Sequence, residues 1–169
     1  KYGFGLTAPI PFGTGPCISL TSGDFNNDGN IDLASCAMDM VSVIFGLGNA
    51  QFGSAVTYVL PGATGVGGIE SLDMNNDGAL DLIVVNENDY VYILYGSPTG
   101  VFSISPTSYS AGLLSMPWSI TAADFNGDGK IDVATANTNL NTVSILLNSI
   151  QPTITISANT NSICIGSGV

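Results

Sequence analysis

The chain of 169 residues carries 13 acidic residues against two lysines, Lys1 and Lys130, with neither arginine nor histidine, for a formal net charge of −11. That balance repels phosphates and anionic lipid, which excludes nucleic-acid binding, and it removes the usual general base and anion clamp from any catalytic scheme. With 45% hydrophobic residues, 21 Gly and 8 Pro, the chain reads as globular and turn-rich, and no apolar run reaches the 18 or so residues of a membrane span, so membrane insertion is not expected.

In chain order, residues 4–11 read as a strand, and the start "KYGFGL" lacks a secretory leader, as in a mature or excised piece. A short segment "ISLTSG" then leads into the acidic loop "DFNNDGNID" (24–32), the strand "IDLASCA", the alternating run "VSVIFGLG", and a phenylalanine after a glycine-containing turn, Phe52. The same order returns with "DMNNDGALD" (73–81), "LDLIVVN", "VYILYG" and Phe102, and again with "SITAA", "DFNGDGKID" (124–132), "IDVATAN" and "TVSILLN". The loops begin 49 and 51 residues apart, and strand signals of Val, Ile, Tyr and Phe without a 3.6-residue period make the chain all-β. About four strands per repeat describe three four-stranded antiparallel blades of a β-propeller over residues 1–150; a sandwich has no reason to repeat one loop at constant spacing. Three blades are fewer than a closed ring uses, so further blades are expected in the full-length chain. From 151 to 169 the Pro-led, Ser/Thr/Asn-rich "QPTITISANTNSICIGSGV" reads as a linker and an unfinished strand pair, with a weak resemblance to the entry of an immunoglobulin-like module.

Nine of the 13 acids lie in the three loops, where Asp or Asn stands at alternate positions around a glycine. A hard divalent cation takes six to eight oxygens, and a tight loop turns alternate side chains inward, so the spacing predicts three Ca²⁺ sites, with Mg²⁺ second. In the first loop Asp24, Asn26, Asp28 and Asp32 would give side-chain oxygens and Asn30 its carbonyl, with Gly29 at positive φ. The second set is Asp73, Asn75, Asp77 and Asp81 with the carbonyl of Ala79, the third Asp124, Asn126, Asp128 and Asp132 with that of Lys130. An EF-hand would need Glu at position 12, where Ser35, Val84 and Thr135 stand. Asp, Asn and Gly are also plain turn formers, but three copies keeping every oxygen ligand favour metal.

Each of the segments "GDFNNDGNIDLA", "LDMNNDGALDLIV" and "ADFNGDGKIDVAT", followed by a "VSVIFG"-like strand, resembles the FG-GAP or VCBS repeats of integrin-α-like propellers, over about residues 4–148. The resemblance implies a calcium ion between the first two strands of each blade, about seven blades in the full protein, and an extracellular, secreted or cell-surface home. The expected role is non-catalytic: recognition of a protein or glycan in adhesion. The alternatives are a spacer without a ligand and the accessory propeller of a larger secreted enzyme. Counting strand directions places the turns after each second strand on the face opposite the metal loops, which makes Asp39, Glu87, Asp89, Tyr90 and Asn139 the candidate ligand residues. Trp118, Tyr90 and Tyr92 could stack on a sugar, with buried packing the stronger reading for each. Cys17, Cys36 and Cys164 form neither a disulfide framework nor a zinc set; Cys36, in the place of Val85 and Ala136, reads as a buried small hydrophobe.

Overall fold

The computed structural model describes residues 8–148 except 14 and 106. Within them the chain is all-β. Each acidic loop joins a hairpin: β1 (Ser19–Gly23) to β2 (Asp32–Ala37), β7 (Val66–Leu72) to β8 (Asp81–Asn86), and β12 (Pro117–Ala123) to β13 (Asp132–Asn137). The registers Gly23↔Asp32, Leu72↔Asp81 and Ala123↔Asp132 set the last loop aspartate as the first residue of the second strand in all three.

β3 (Met40–Ile44) and β6 (Val56–Val59) complete the first antiparallel sheet in the order β1-β2-β3-β6. In the second, β9 (Tyr90–Tyr95) follows β8, and both β10 (Ser103–Ile104) and β11 (Tyr109–Ser110) pair with β9. The third comprises β12, β13 and β14 (Thr142–Leu146) among the described residues. β7 packs against β1 on one side and β12 on the other, so the first strands of the three sheets are neighbours, an arrangement consistent with a β-propeller-like repeat.

Two expectations about the outer strands change. Phe52 does not begin the fourth strand of its sheet: it lies in β5 (Gln51–Phe52), which pairs with β4 (Gly46–Gly48) as a separate ribbon, and β6 takes the outer place. The reason is local, because Gly48, Asn49 and Ala50 all adopt positive φ and turn the chain back on itself at the end of β4. Residues 8–11 are in no strand, and Pro9 and Pro11 have no N–H for a ladder; residues 1–7 lie outside the described part, as do 149–169.

Packing between sheets explains why the three second strands differ. β8 is buried along its whole length. Its Leu82 and Val84 face the first sheet, in a cluster with Phe25, Cys36, Val41 and Phe102, while Ile83 and Val85 face the third, with Ile120 and Val133. A strand covered on both faces needs a continuous apolar run, "LIVV", where β2 and β13 carry Ser35 and Thr135 in mid-strand. Gly67 and Gly68 of β7 let the β12 backbone approach, since a Cβ at Gly67 would sit 2.9 Å from the Trp118 carbonyl oxygen.

Candidate metal centres and the opposite face

The three acidic loops fold alike, from side chains outward. The first aspartate accepts backbone N–H bonds on both oxygens: Asp24 from Asp28 (3.0 Å) and Gly29 (2.9 Å), Asp73 from Asp77 (3.1 Å) and Gly78 (2.9 Å), Asp124 from Asp128 (3.2 Å) and Gly129 (2.8 Å). The Oδ1 of Asn26, Asn75 and Asn126 accepts from the N–H two residues on, and so does that of Asp28, Asp77 and Asp128, whose donors are Asn30, Ala79 and Lys130. These are Asx turns in series, which curl the loop so that oxygen-bearing side chains gather on its inside. Gly29, Gly78 and Gly129 take positive φ as the spacing requires. So do Asn27, Asn76 and Gly127 one turn earlier, which the sequence reading overlooked although Asn and Gly are the residues that tolerate it.

The ninth position has a structural role of its own. Asp32, Asp81 and Asp132 are fully buried. Their Oδ2 atoms accept from the N–H of Phe25 (2.8 Å), Met74 (3.0 Å) and Phe125 (3.0 Å), and their Oδ1 atoms from Gly46 (2.7 Å), Gly96 (2.8 Å) and Asn148 (2.7 Å). Each therefore joins the start of its loop to the end of the third strand. Gly46 and Gly96 are required there, because a Cβ on either would collide with the carbonyl of Ile31 or Leu80.

Electrostatics favours a cation. Burial pushes the Asp32 and Asp81 carboxyls up, their N–H partners oppose it, and the like charges of Asp28 and Asp24, or Asp77 and Asp73, push further in the same direction. At the exposed rim the Asn30 N–H holds Asp28 below the usual carboxylate range, and the Gly129 N–H does so for Asp124. The loops thus keep hard, ionised oxygens beside buried like charge, a donor set that suits Ca²⁺ rather than a soft metal. Among the described residues no three carboxylates, thiols or imidazoles converge tightly enough to hold an ion by themselves, so a bound ion would draw on amide and carbonyl oxygens as well.

On the opposite face the candidate ligand residues are brought together with the connectors between the sheets. Leu60 and Val66 donate to the carbonyls of Asp39 and Met38, and the Glu87 N–H donates to the Gly65 carbonyl. In the next repeat the Asp89 carboxylate accepts from the N–H of Leu114 and Met116 and the Ser115 hydroxyl, while Asn139 Nδ2 donates to the Leu114 carbonyl. Burial alone would raise the Asp89 carboxyl, but the Met116 and Leu114 N–H groups outweigh it and hold it below its ordinary value. Asp89 is therefore occupied in holding the connector. Tyr90 is exposed, as is Trp118, against the expectation of buried packing for both; Tyr92 is buried with its hydroxyl near the Pro61 carbonyl. Cys36 is buried, its thiol pushed up to about 11 by desolvation, and Cys17 is exposed.

No curated protein matches the chain at a significant level. The sequence profile of the FG-GAP-like repeat matches twice in overlapping register, over residues 24–84 and 73–135, each match running from the first aspartate of one acidic loop past the next. These matches cover well over half of the 169 residues, and the chain belongs to the FG-GAP-like repeat family.

Proposed function

We propose that the chain is a non-catalytic, calcium-stabilised propeller module of a secreted or cell-surface protein, with three blades of a larger ring, recognising a protein or glycan. The observation that carries the calcium reading is the threefold repetition of one loop geometry, with a buried aspartate and no cationic side chain to offset it beyond Lys130 in the third loop. The ligands would be the side-chain oxygens of Asp24, Asn26, Asp28 and Asp32 with the Asn30 carbonyl, of Asp73, Asn75, Asp77 and Asp81 with that of Ala79, and of Asp124, Asn126, Asp128 and Asp132 with that of Lys130. A carboxylate oxygen that accepts one N–H bond keeps a lone pair for an ion. Bound there, calcium offsets the like charges that burial leaves uncompensated. The chain's own residues do the rest: the Asx turns hold the loop, and the ninth aspartate ties it to the sheet. Isothermal calorimetry with calcium is expected to give three sites near 10⁻⁴ to 10⁻³ M, as in other extracellular modules; absence of binding at millimolar calcium would overturn the reading.

Recognition is assigned to the face opposite these loops, with Asp39, Glu87, Tyr90 and Asn139 as contact residues and Asp89 as their support. FG-GAP repeats occur in extracellular propeller modules, which supports the setting. A spacer role is favoured instead by the hydrogen bonds that join the turns of this face to the connectors. A glycan array on the purified chain separates the two: binding lost on Glu87→Ala supports recognition, and absence of any hit supports the spacer.

A further inference from the structure

The connectors that lead into β7 and β12 follow one path. Leu60 and Ala111 donate to the carbonyls of Asp39 and Asp89, and the Glu87 and Thr138 N–H groups donate to the carbonyls of Gly65 and Met116. Residues 60–66 are thereby aligned with 111–117. In the first connector the left-handed positions are glycines, Gly62 and Gly65, and the apolar residues Leu60 and Ala63 are buried. In the second, Met116 stands at the place of Gly65 with a φ of 46° and is exposed. Leu114, at the place of buried Ala63, has a φ of 60° and is 63% exposed, and Leu113 beside it is 83% exposed.

Nine described residues other than glycine take positive φ, and six of them are Asn, Asp or Ala. The remaining three, Met38, Leu114 and Met116, are bulky and apolar, and all three are exposed on the face opposite the acidic loops. A bulky side chain in this region is a backbone outlier that persists only where its surroundings over-determine it, and such outliers gather at binding sites. At the second connector Asp89 supplies the constraint, with Oδ2 accepting from Leu114 and Oδ1 from Met116 and the Ser115 hydroxyl. Asn139 Nδ2 holds the Leu114 carbonyl and the Thr138 hydroxyl that of Met116. Asp39, whose carbonyl takes the place of the Asp89 carbonyl, has no such side-chain clamp among the described residues, and the glycine path needs none. What Leu and Met add over glycine is therefore exposed apolar surface, held rigidly.

The chemistry around them narrows the partner. The polar groups of the second connector are occupied by its own backbone. A sugar is held through hydrogen bonds to its hydroxyls and through aromatic faces, and Leu113, Leu114 and Met116 offer neither. Lys130, the one lysine among the described residues, lies in the third acidic loop, whereas Asp39 and Glu87 stand on this face, the Glu87 carboxyl over Gly65. An apolar centre beside acids calls for an apolar pocket beside cations.

We propose that Leu113, Leu114 and Met116 form an apolar knob that docks into a pocket of a protein partner, rimmed by Lys or Arg side chains that complement Asp39 and Glu87. This docking role rests on the recognition reading of the face and narrows its ligand to a protein. Methionine suits it, since an unbranched, polarisable chain adapts to the surface it meets.

The test uses the full 169-residue chain in millimolar calcium, panned against a displayed library of random peptides, with the affinities of enriched peptides then measured by fluorescence anisotropy. Sequences that combine Leu, Ile, Met or Phe with Lys or Arg are expected to be enriched, and Leu114→Gly together with Met116→Gly should weaken their binding at least about tenfold. The same double variant should melt within about two degrees of the unmodified chain or above it, because glycine relieves both left-handed positions. A fall of about five degrees or more would show that these side chains pack the fold, and would overturn the proposal. So would enrichment of acidic peptides, or peptide binding that the double variant leaves intact; if Glu87→Ala abolishes that binding, recognition by this face stands and only the knob falls. Glycan-array hits lost in the double variant would assign the knob to sugars and overturn the protein partner. A chain that takes neither peptide nor glycan would overturn both the knob and the recognition reading beneath it.

Discussion

The Gly96 N–H donates to Oδ1 of Asp81 at 2.8 Å, fifteen residues away, while Oδ2 of the same carboxylate accepts from Met74. One buried side chain thus fixes the start of the acidic loop, the start of β8 and the end of β9. The arrangement recurs at Asp32 and Asp132, so the acid that closes each loop shapes the sheet with or without an ion.

Asp81→Ala is expected to leave two buried N–H groups unpaired and to destabilise by about 2–3 kcal/mol in chelator, and by more in calcium, where a metal ligand is lost as well. Asp81→Asn should rescue little, because its amide NH₂ would face one of two donors. Denaturant titration of both variants checks this; full rescue by Asn would contradict the two-donor geometry.

Calorimetric stoichiometry should fall from three calcium ions to two in Asp128→Ala, and chelator should lower the melting temperature of the unmodified chain by several degrees through loss of a native-state ligand. Melting that ignores chelator would separate the loops from any structural metal.

Asp89→Ala is expected to cost about 1–3 kcal/mol by releasing the connector, and Asp89→Asn less, since Asn tolerates the φ of 70° and keeps one acceptor. The folded carboxyl sits below its ordinary value of 3.8, so its contribution is complete above that pH and is lost as pH falls through the folded value. The stability gap between the unmodified chain and Asp89→Asn should therefore shrink below about pH 4.

Phe102→Ala should destabilise by about 3–5 kcal/mol, because the ring is buried between Phe25 and Tyr58 and its loss leaves a cavity at the junction of the first two sheets. Urea unfolding measures it; a cost below about 1 kcal/mol would show that the junction collapses around the loss.

A thiol reagent at pH 8 should label Cys17 quickly in a Cys164→Ser background and leave Cys36 untouched until the chain unfolds, since its thiol is buried and pushed up to about 11. Two fast thiols would contradict the packing of β2.

Much of this was legible in the sequence because the loops repeat. Asp24, Asp73 and Asp124 fixed the period, and the apolar runs after them fixed the hairpins. What the pattern could not carry was partner identity. A polar side chain reads the same whether it faces solvent or backbone N–H groups, so Asp89 looked like a free acid and Asp32, Asp81 and Asp132 looked like metal ligands alone. Phe52 and Phe102 are equivalent in sequence, yet positive φ at Asn49 and Ala50 puts the first in its own ribbon. Trp118 and Tyr90 looked like core because of their size, while their exposure follows from position in β12 and β9.

The connector at 114–116 is gripped twice over three residues, by Asp89 from the second sheet and by Thr138 and Asn139 from the third. A pull that draws these two sheets apart cannot simply reel out slack, because the strap is pinned to both anchorages at the same point. The hydrogen bonds there bear the load side by side and must fail together, which makes this short strap a shear fastener between sheets rather than a loose tether.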